Sequence, residues 1–186
     1  FYPDYYGKNF ILNDLTHEGG LTAIRIEGPS NSVDQRLERL SKELGLIDQE
    51  LSIIDNEQSN IFWNRTKNLE VFKSLKSNLL RIVVPISETL QVIQKLKIHD
   101  IKYFIDWGGS LIWASFDQLN ARILGEIKEL LKKHHGYITL IKIEEDLKAS
   151  ADIFTIDPIK YKISEKIKRS FDPRRIFNPG KMYTGI

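Results

Sequence analysis

Between Leu79 and Ile143 the hydrophobic period switches from two to about 3.6 and back again, and does so twice. "LLRIVVP" (Leu79–Pro85) is a β-branched run closed by proline and reads as a strand. Ser87 is placed to cap a helix carrying Leu90, Ile93 and Leu96. "IKYFIDW" (Ile101–Trp107) and "SLIWASF" (Ser110–Phe116) flank Gly108-Gly109, the signal of a two-residue hairpin. Asp117 is placed to cap a helix bearing Leu119, Ile123, Ile127, Leu130 and Leu131. His135-Gly136 ends that helix, and "YITLIKI" (Tyr137–Ile143) is the last strand. The order βαββαβ is the ferredoxin-like split pattern. The expected class is therefore α+β, a mainly antiparallel sheet with helices on one face. In the hairpin Leu111, Trp113 and Ser115 point one way while Ile112, Ala114 and Phe116 point the other. Both sets are largely apolar, so the second face is expected to be covered as well.

The flanking segments read less sharply. Residues 1–18 are aromatic and polar without a period. "GLTAIRIEG" (Gly20–Gly28) alternates and reads as a strand. Ser32 and Gln35 have capping-box spacing ahead of a stripe of Val33, Leu37, Leu40 and Leu44, which Gly45 stops. "LSIID" (Leu51–Asp55) reads as a short strand and Glu57–Phe72 as a helix. At the other end, Asp157-Pro158 sets an N-cap followed by proline at the first helical position. Ile159, Ile163 and Ile167 then recur every fourth residue. Asp172-Pro173 starts one further turn, and Asn178-Pro179-Gly180 fits a turn with glycine where positive φ is needed. The chain thus divides into an irregular segment (1–18), an α+β domain (19–156) and a C-terminal helix with a docking tail (157–186).

Several chemistries are disfavoured. The 186 residues are 41% hydrophobic and carry a net charge of +2, enough to bury a sizeable core but no basic surplus for nucleic acid. There are no cysteines, hence no disulfide, thiolate metal site or cysteine nucleophile. His17, His99, His134 and His135 show no metal-ligand spacing, so no metal is expected. No apolar run reaches the roughly 18–20 residues of a membrane span. P-loop, G-x-G-x-x-G and G-x-S-x-G patterns do not occur. Arg81, a charge inside an apolar strand, needs either a partner, a route to water or an anionic ligand. Asp106 at the hairpin raises the same question. Arg174 beside the NPG turn can meet an anion, as can the turn's backbone N–H groups.

The final stretch, "FDPRRIFNPGKMYTGI", resembles the C-terminal signature of FAD-linked oxidases of the vanillyl-alcohol-oxidase superfamily, which end in DP-x-x-(I/V)-(F/L)-NPGK. In chain order "IRIEGPSNSV", "FWNRTKN", "LLRIVVP", "DWGGSLIWAS" and "HGYITLIK" are similar to the glycolate oxidase E-type subunits. The resemblance runs from about Leu21 to the end. It implies that residues 19–156 are a cap domain covering a flavin. Residues 157–186 would return to an upstream FAD-binding domain, of which residues 1–18 are the continuation. FAD then belongs to the parent protein, and none is expected on residues 1–186 alone. The implied reaction is oxidation of a small 2-hydroxy acid, glycolate to glyoxylate, in a complex with other glycolate oxidase subunits. The implied location is cytoplasmic, with membrane association only through those partners. By resemblance Arg81, Asp106 and Trp113 are candidate substrate contacts, and Arg174, Asn178, Pro179 and Gly180 candidate cofactor contacts. Where the related D-type subunits resemble one another in "H-x-G-D-G-N-x-H", Asp106 stands near the first histidine and Trp113 near the second. This departure puts independent turnover by the chain in doubt. A ferredoxin-like module that binds a small metabolite without redox chemistry is the alternative reading.

Overall fold

The structure is a computed structural model and describes residues 20–44, 52–73, 78–148, 151–181, 183 and 186. The expected irregular segment 1–18, and Gly45 and Leu51 with it, lie outside those residues. The chain divides into two compact units, one ending at Val71 and the other beginning at Phe72.

The α-helices described in the first unit are two. Helix α1 (Ser30–Glu43) starts after Pro29, whose carbonyl accepts from Ser32 and Val33 at 2.9 and 3.0 Å. The expected capping box at Ser32 does not form, because the chain is already helical two residues earlier. The Val33–Leu40 stripe is half-buried and Leu44 is exposed. Arg39–Glu43 and Lys42–Glu38 ion pairs line the surface of the helix. Helix α2 (Asn56–Lys67) is capped by Asp55, whose Oδ1 accepts from Gln58 N–H at 2.8 Å. Phe62 and Thr66 are its buried residues.

Neither strand expected in this half appears among the described residues. Residues 22–27 adopt no regular element, and residues 52–55 run directly into the Asp55 cap. Alternation makes a segment fit for a sheet, but a strand exists only when another strand takes its N–H and C=O groups. At residues 25–27 side chains are engaged instead. Arg25 pairs with Glu27 at 2.7 Å, and the Arg36 guanidinium donates to the Glu27 carbonyl.

In the second unit the pattern is realised in full. Strand β1 (Asn78–Val83) leads through a short turn at Ile86–Glu88 to helix α3 (Thr89–Leu96). Strands β2 (Lys102–Asp106) and β3 (Leu111–Phe116) follow, then helix α4 (Ala121–Lys133) and strand β4 (Tyr137–Lys142). All three ladders are antiparallel, in the order β2-β3-β1-β4, the ferredoxin-like arrangement. Leu80, Ile82, Tyr103, Ile112, Ala114, Phe116, Ile138 and Leu140 form one core with Val92, Ile93 and Leu96 of α3 and Leu124, Ile127 and Leu131 of α4. The α+β class is therefore as expected. After a short helix, α5 (Glu145–Lys148), the chain returns along the outer edge of β4. Leu140 N–H donates to the Ile153 carbonyl (2.8 Å) and Thr155 N–H to that of Ile138 (3.1 Å). That return satisfies an edge that would otherwise be open.

Three helix ends differ from expectation. Helix α4 is capped by Asn120, whose Oδ1 accepts from Ile123 N–H at 3.0 Å, not by Asp117. Leu119 and Leu124 both belong to the core and stand at the two positions of a hydrophobic staple, which places the cap between them. Ser87 does not cap α3, since it lies within the preceding turn. The residue at the cap position, Glu88, turns its carboxylate to His134 Nδ1. At the C-terminus of α4 it is His135 that takes positive φ (54°), while Gly136 N–H donates to the Leu131 carbonyl at 2.7 Å. Gly136 is required for space: a Cβ there would stand 2.5 Å from Val84 Cγ1.

Helix α6 (Pro158–Phe171) has the expected cap. Asp157 Oδ1 accepts from Ile159 N–H at 2.8 Å and Pro158 occupies the first turn.

Candidate functional site

The sheet face opposite the helices carries Arg81. In register, Arg81 lies between Trp113 of β3 and Thr139 of β4, and Phe104 of β2 pairs with Trp113. Phe72 stacks on Phe104 with centroids 5.7 Å apart, and Phe104 on Trp113 at 6.4 Å. Leu79, Phe104, Leu111 and Ser115 are buried on this side, whereas Arg81, Trp113 and Asp106 are half-buried. Among the described residues no carboxylate forms an ion pair with Arg81.

The connection after β2 sets what Arg81 meets. It is a four-residue turn, Trp107 to Ser110, rather than the two-residue Gly108-Gly109 hairpin. Trp107, Gly108 and Gly109 have φ of 52°, 60° and 112°. Asp106 Oδ1 accepts from Trp107 N–H (2.7 Å), and the Ser110 hydroxyl donates to the Trp107 carbonyl (3.1 Å). From α3, the Thr89 hydroxyl donates to the Gly109 carbonyl. The Trp107 ring thereby lies under the Arg81 guanidinium, 4.7 Å from centroid to Cζ. Such a contact contributes about 0.5–2 kcal/mol, depending on desolvation. Of the three candidate substrate contacts, Arg81 and Trp113 are cross-strand neighbours. Asp106 pairs with Leu111 at the end of the ladder and serves the turn. Trp107, the ring that Arg81 meets, was read in the sequence only as part of a turn. The available signal was an aromatic residue directly ahead of two glycines.

The tail candidates form a second, separate constellation. Asp172 is buried although its neighbours Arg174, Asn178, Pro179 and Gly180 are exposed. Its carboxylate accepts from Ile176 and Phe177 N–H, both at 2.9 Å, and from Lys168 Nζ at 2.8 Å. Lys168 also donates to the Phe177 carbonyl. The Lys168 hydrogen bond, with the two backbone donors, lowers the Asp172 carboxyl to about 2. The NPG turn forms as expected, with Gly180 at φ 68° and Lys181 N–H donating to the Asn178 carbonyl at 3.2 Å. Gly180 N–H, however, is not free for an anion, since it donates to the Ile186 carbonyl at 2.8 Å. The exposed Arg174 side chain is thus one of the donors this tail offers outward, with Arg175 and Lys181 exposed beside it.

On α6, Ile159, Ile163, Ile167 and Phe171 form a ridge at four-residue spacing that is 53–84% exposed, and Ile176 and Phe177 are similarly exposed. Eight lysines and arginines against two acids surround it between Pro158 and Lys181. A contiguous apolar ridge of this kind marks a surface that associates with something.

His134 serves structure. His134, buried at the end of α4, joins Glu88 through Nδ1 and Lys95 through Nε2 (3.1 Å), tying α3 to α4. The His134 hydrogen bond holds the Glu88 carboxyl below its ordinary value. Among the described residues no three His, Asp or Glu side chains converge as metal ligands, and no helix is long and apolar enough to cross a membrane.

No protein-family model matches the chain, and no solved structure does. The glycolate oxidase subunit GlcE of Escherichia coli (strain K12) is 26% identical over 166 residues, which are 88% of this chain and 39% of that protein. The chain therefore spans about two-fifths of the length of the relative it matches. At this distance the match supports a relation to the FAD-linked oxidases, and no finer assignment.

Proposed function

We propose that this chain is the cap and returning tail of a glycolate oxidase E-type subunit, a FAD-linked oxidase that handles a small 2-hydroxy acid. The observation that carries the reading is the collinear likeness to GlcE, which extends over 88% of the chain. In this reading the ferredoxin-like sheet covers the flavin side of the parent protein and Arg81 meets the substrate carboxylate, with Trp113 beside it. Asp106 acts on the substrate side only by fixing the turn. FAD is held by the parent's nucleotide-binding part and, when bound, accepts the hydride. The described residues fit a peripheral contact to it rather than a cradle, because Gly180 N–H is already bonded and the outward donors are exposed cations, Arg174 among them. The apolar ridge of α6 and its cationic border dock on that FAD-binding part, and further subunits of the complex supply the remaining catalytic groups. The location is cytoplasmic.

The test uses the purified 186-residue chain and the longer polypeptide that carries it. The chain alone is expected to show no flavin absorbance and no glycolate-dependent dye reduction, while the longer protein retains FAD. Stoichiometric flavin on the chain alone would overturn the cap assignment. In the complex, Arg81→Ala is expected to raise KM for glycolate about 10- to 100-fold, the scale of one lost charge-assisted hydrogen-bond pair.

A further inference from the structure

Trp107 sits in a backbone conformation that bulky residues avoid. Its φ is 52° and the residue is 59% exposed, so burial does little to offset the left-handed geometry. The turn is nevertheless held from three sides, by the Asp106 carboxylate, the Ser110 hydroxyl and the Thr89 hydroxyl. Gly109 is at φ 112°, where any side chain is strained, and a Cβ there would also press on the exposed Ile86 side chain. Strain that the surroundings over-determine in this way points to a purpose in the side chain being presented. What the turn presents is an indole beneath the Arg81 guanidinium, 4.7 Å from Cζ to the ring centroid.

The chemistry of that contact is specific. A guanidinium carries its five N–H donors in its own plane. An aromatic ring against the guanidinium shields the cation from water on that side and leaves N–H donors on its other sides for a ligand. Arg81 is half-buried, its ladder neighbours are Trp113 and Thr139, and among the described residues it has no carboxylate partner. A planar acceptor with two oxygens matches such an edge, and a carboxylate is the smallest group that provides them.

We propose that Trp107 is the positioning residue of a carboxylate site at Arg81, fixing the guanidinium so that its N–H edge faces a small monocarboxylate. The inference rests on Arg81 being the carboxylate contact and adds that the Asp106–Ser110 turn determines its readiness. Thr89 reaches this turn from α3, so the helix layer takes part in holding the site through one hydroxyl.

The experiment titrates the full 186-residue chain with sodium glycolate at constant ionic strength, following the Arg81 Nε–H resonance by NMR. Wild type is expected to respond saturably, and Arg81→Ala to lose the response. Trp107→Ala is expected to weaken the apparent affinity about tenfold, while Trp107→Phe, which restores a ring, stays within about threefold of wild type. The rescue by Trp107→Phe, with the unfolding midpoint of Trp107→Ala unchanged, is the readout that a purely structural role would not give. Equal affinity in wild type and Trp107→Ala overturns the role of Trp107 and leaves the Arg81 contact standing. A wild-type chain without a saturable response at Arg81 overturns both.

Discussion

The Arg81–Trp107 site and the Asp172 tail are built in opposite ways. In the tail, Asp172 binds Lys168, Ile176 and Phe177, all within five residues of itself, and the NPG turn closes on its own carbonyl and on Ile186. At the sheet site Arg81 meets Trp107 across β1, β3 and β2, and Thr89 reaches Gly109 from another layer. The first arrangement depends on neighbouring residues having the right chemistry. The second depends on strand register, and a slip of one residue would turn Arg81 into the core. Local order can therefore persist at a chain end while long-range order requires the whole sheet.

The largest expected effect separates the two by attacking the frame of the sheet. Gly136→Ala drives a Cβ into Val84 Cγ1 and close to the Val83 carbonyl, and overpacking there should cost about 2 kcal/mol. A urea titration is expected to show that drop, with the Arg81 resonance displaced and the Ile176 and Phe177 amides unmoved. Tail amides that shift as much as Arg81 would mean the two regions are not independent.

Trp107→Gly is the next step down. Glycine relieves about 1 kcal/mol of left-handed strain and forfeits a cation–π contact of similar size, so stability should stay within about 1 kcal/mol of wild type. The glycolate response should fall all the same. A loss of stability well beyond that range would assign Trp107 to the fold rather than to Arg81.

Asp172→Asn acts on the tail alone. Hydrogen exchange at Ile176 and Phe177 N–H is expected to accelerate about tenfold while the global unfolding midpoint stays put. A midpoint that falls would show the tail to be part of the cooperative core.

The smallest effect is set by pH. Asp172 has its carboxyl lowered from 3.8 to about 2, so its ion pair and amide bonds are fully in place above about pH 4. They weaken as pH falls from there through about 2, because the folded state must then take up a proton it holds less readily than the unfolded chain. Glu88, also lowered, loses its contribution in the same direction. An NMR titration should show Ile176 and Phe177 N–H moving in that window, and Asp172→Asn should abolish the dependence. Movement confined to higher pH would rule out the carboxylate as its source.

Legibility in the sequence followed the same division. The four strands of the second unit lie within a residue or two of where period and flanking prolines and glycines put them, because each finds its ladder partner inside Leu79–Ile143. The segments at residues 20–28 and 51–55 have comparable alternation, yet their described residues form no ladder, since alternation specifies a face and not a partner. Helix caps were misplaced where a tertiary demand outweighed propensity. Leu119 had to enter the core, which moved the α4 cap from Asp117 to Asn120, and Glu88 turned to His134 instead of capping α3.

At the candidate sites, Arg81 was visible as a charge in an apolar strand, and Asn178-Pro179-Gly180 as a turn. That Gly180 N–H is already taken was not visible, because its acceptor, the Ile186 oxygen, lies six residues on and is brought back only by the fold of the tail. Nor was Trp107, which becomes significant only once β2 and β1 lie in one sheet with β3 between them.

By itself the sequence determined the class of fold, the end of α4 at His135-Gly136, the Asp157 cap of α6 and the NPG turn of the tail, since all of these arise from periods and interactions spanning a few residues. Tertiary structure alone decided which ring Arg81 meets, which glycine is needed for space rather than for φ, and which backbone donors remain free. Those outcomes depend on distances between segments far apart in the chain, and such distances are fixed only when the sheet closes.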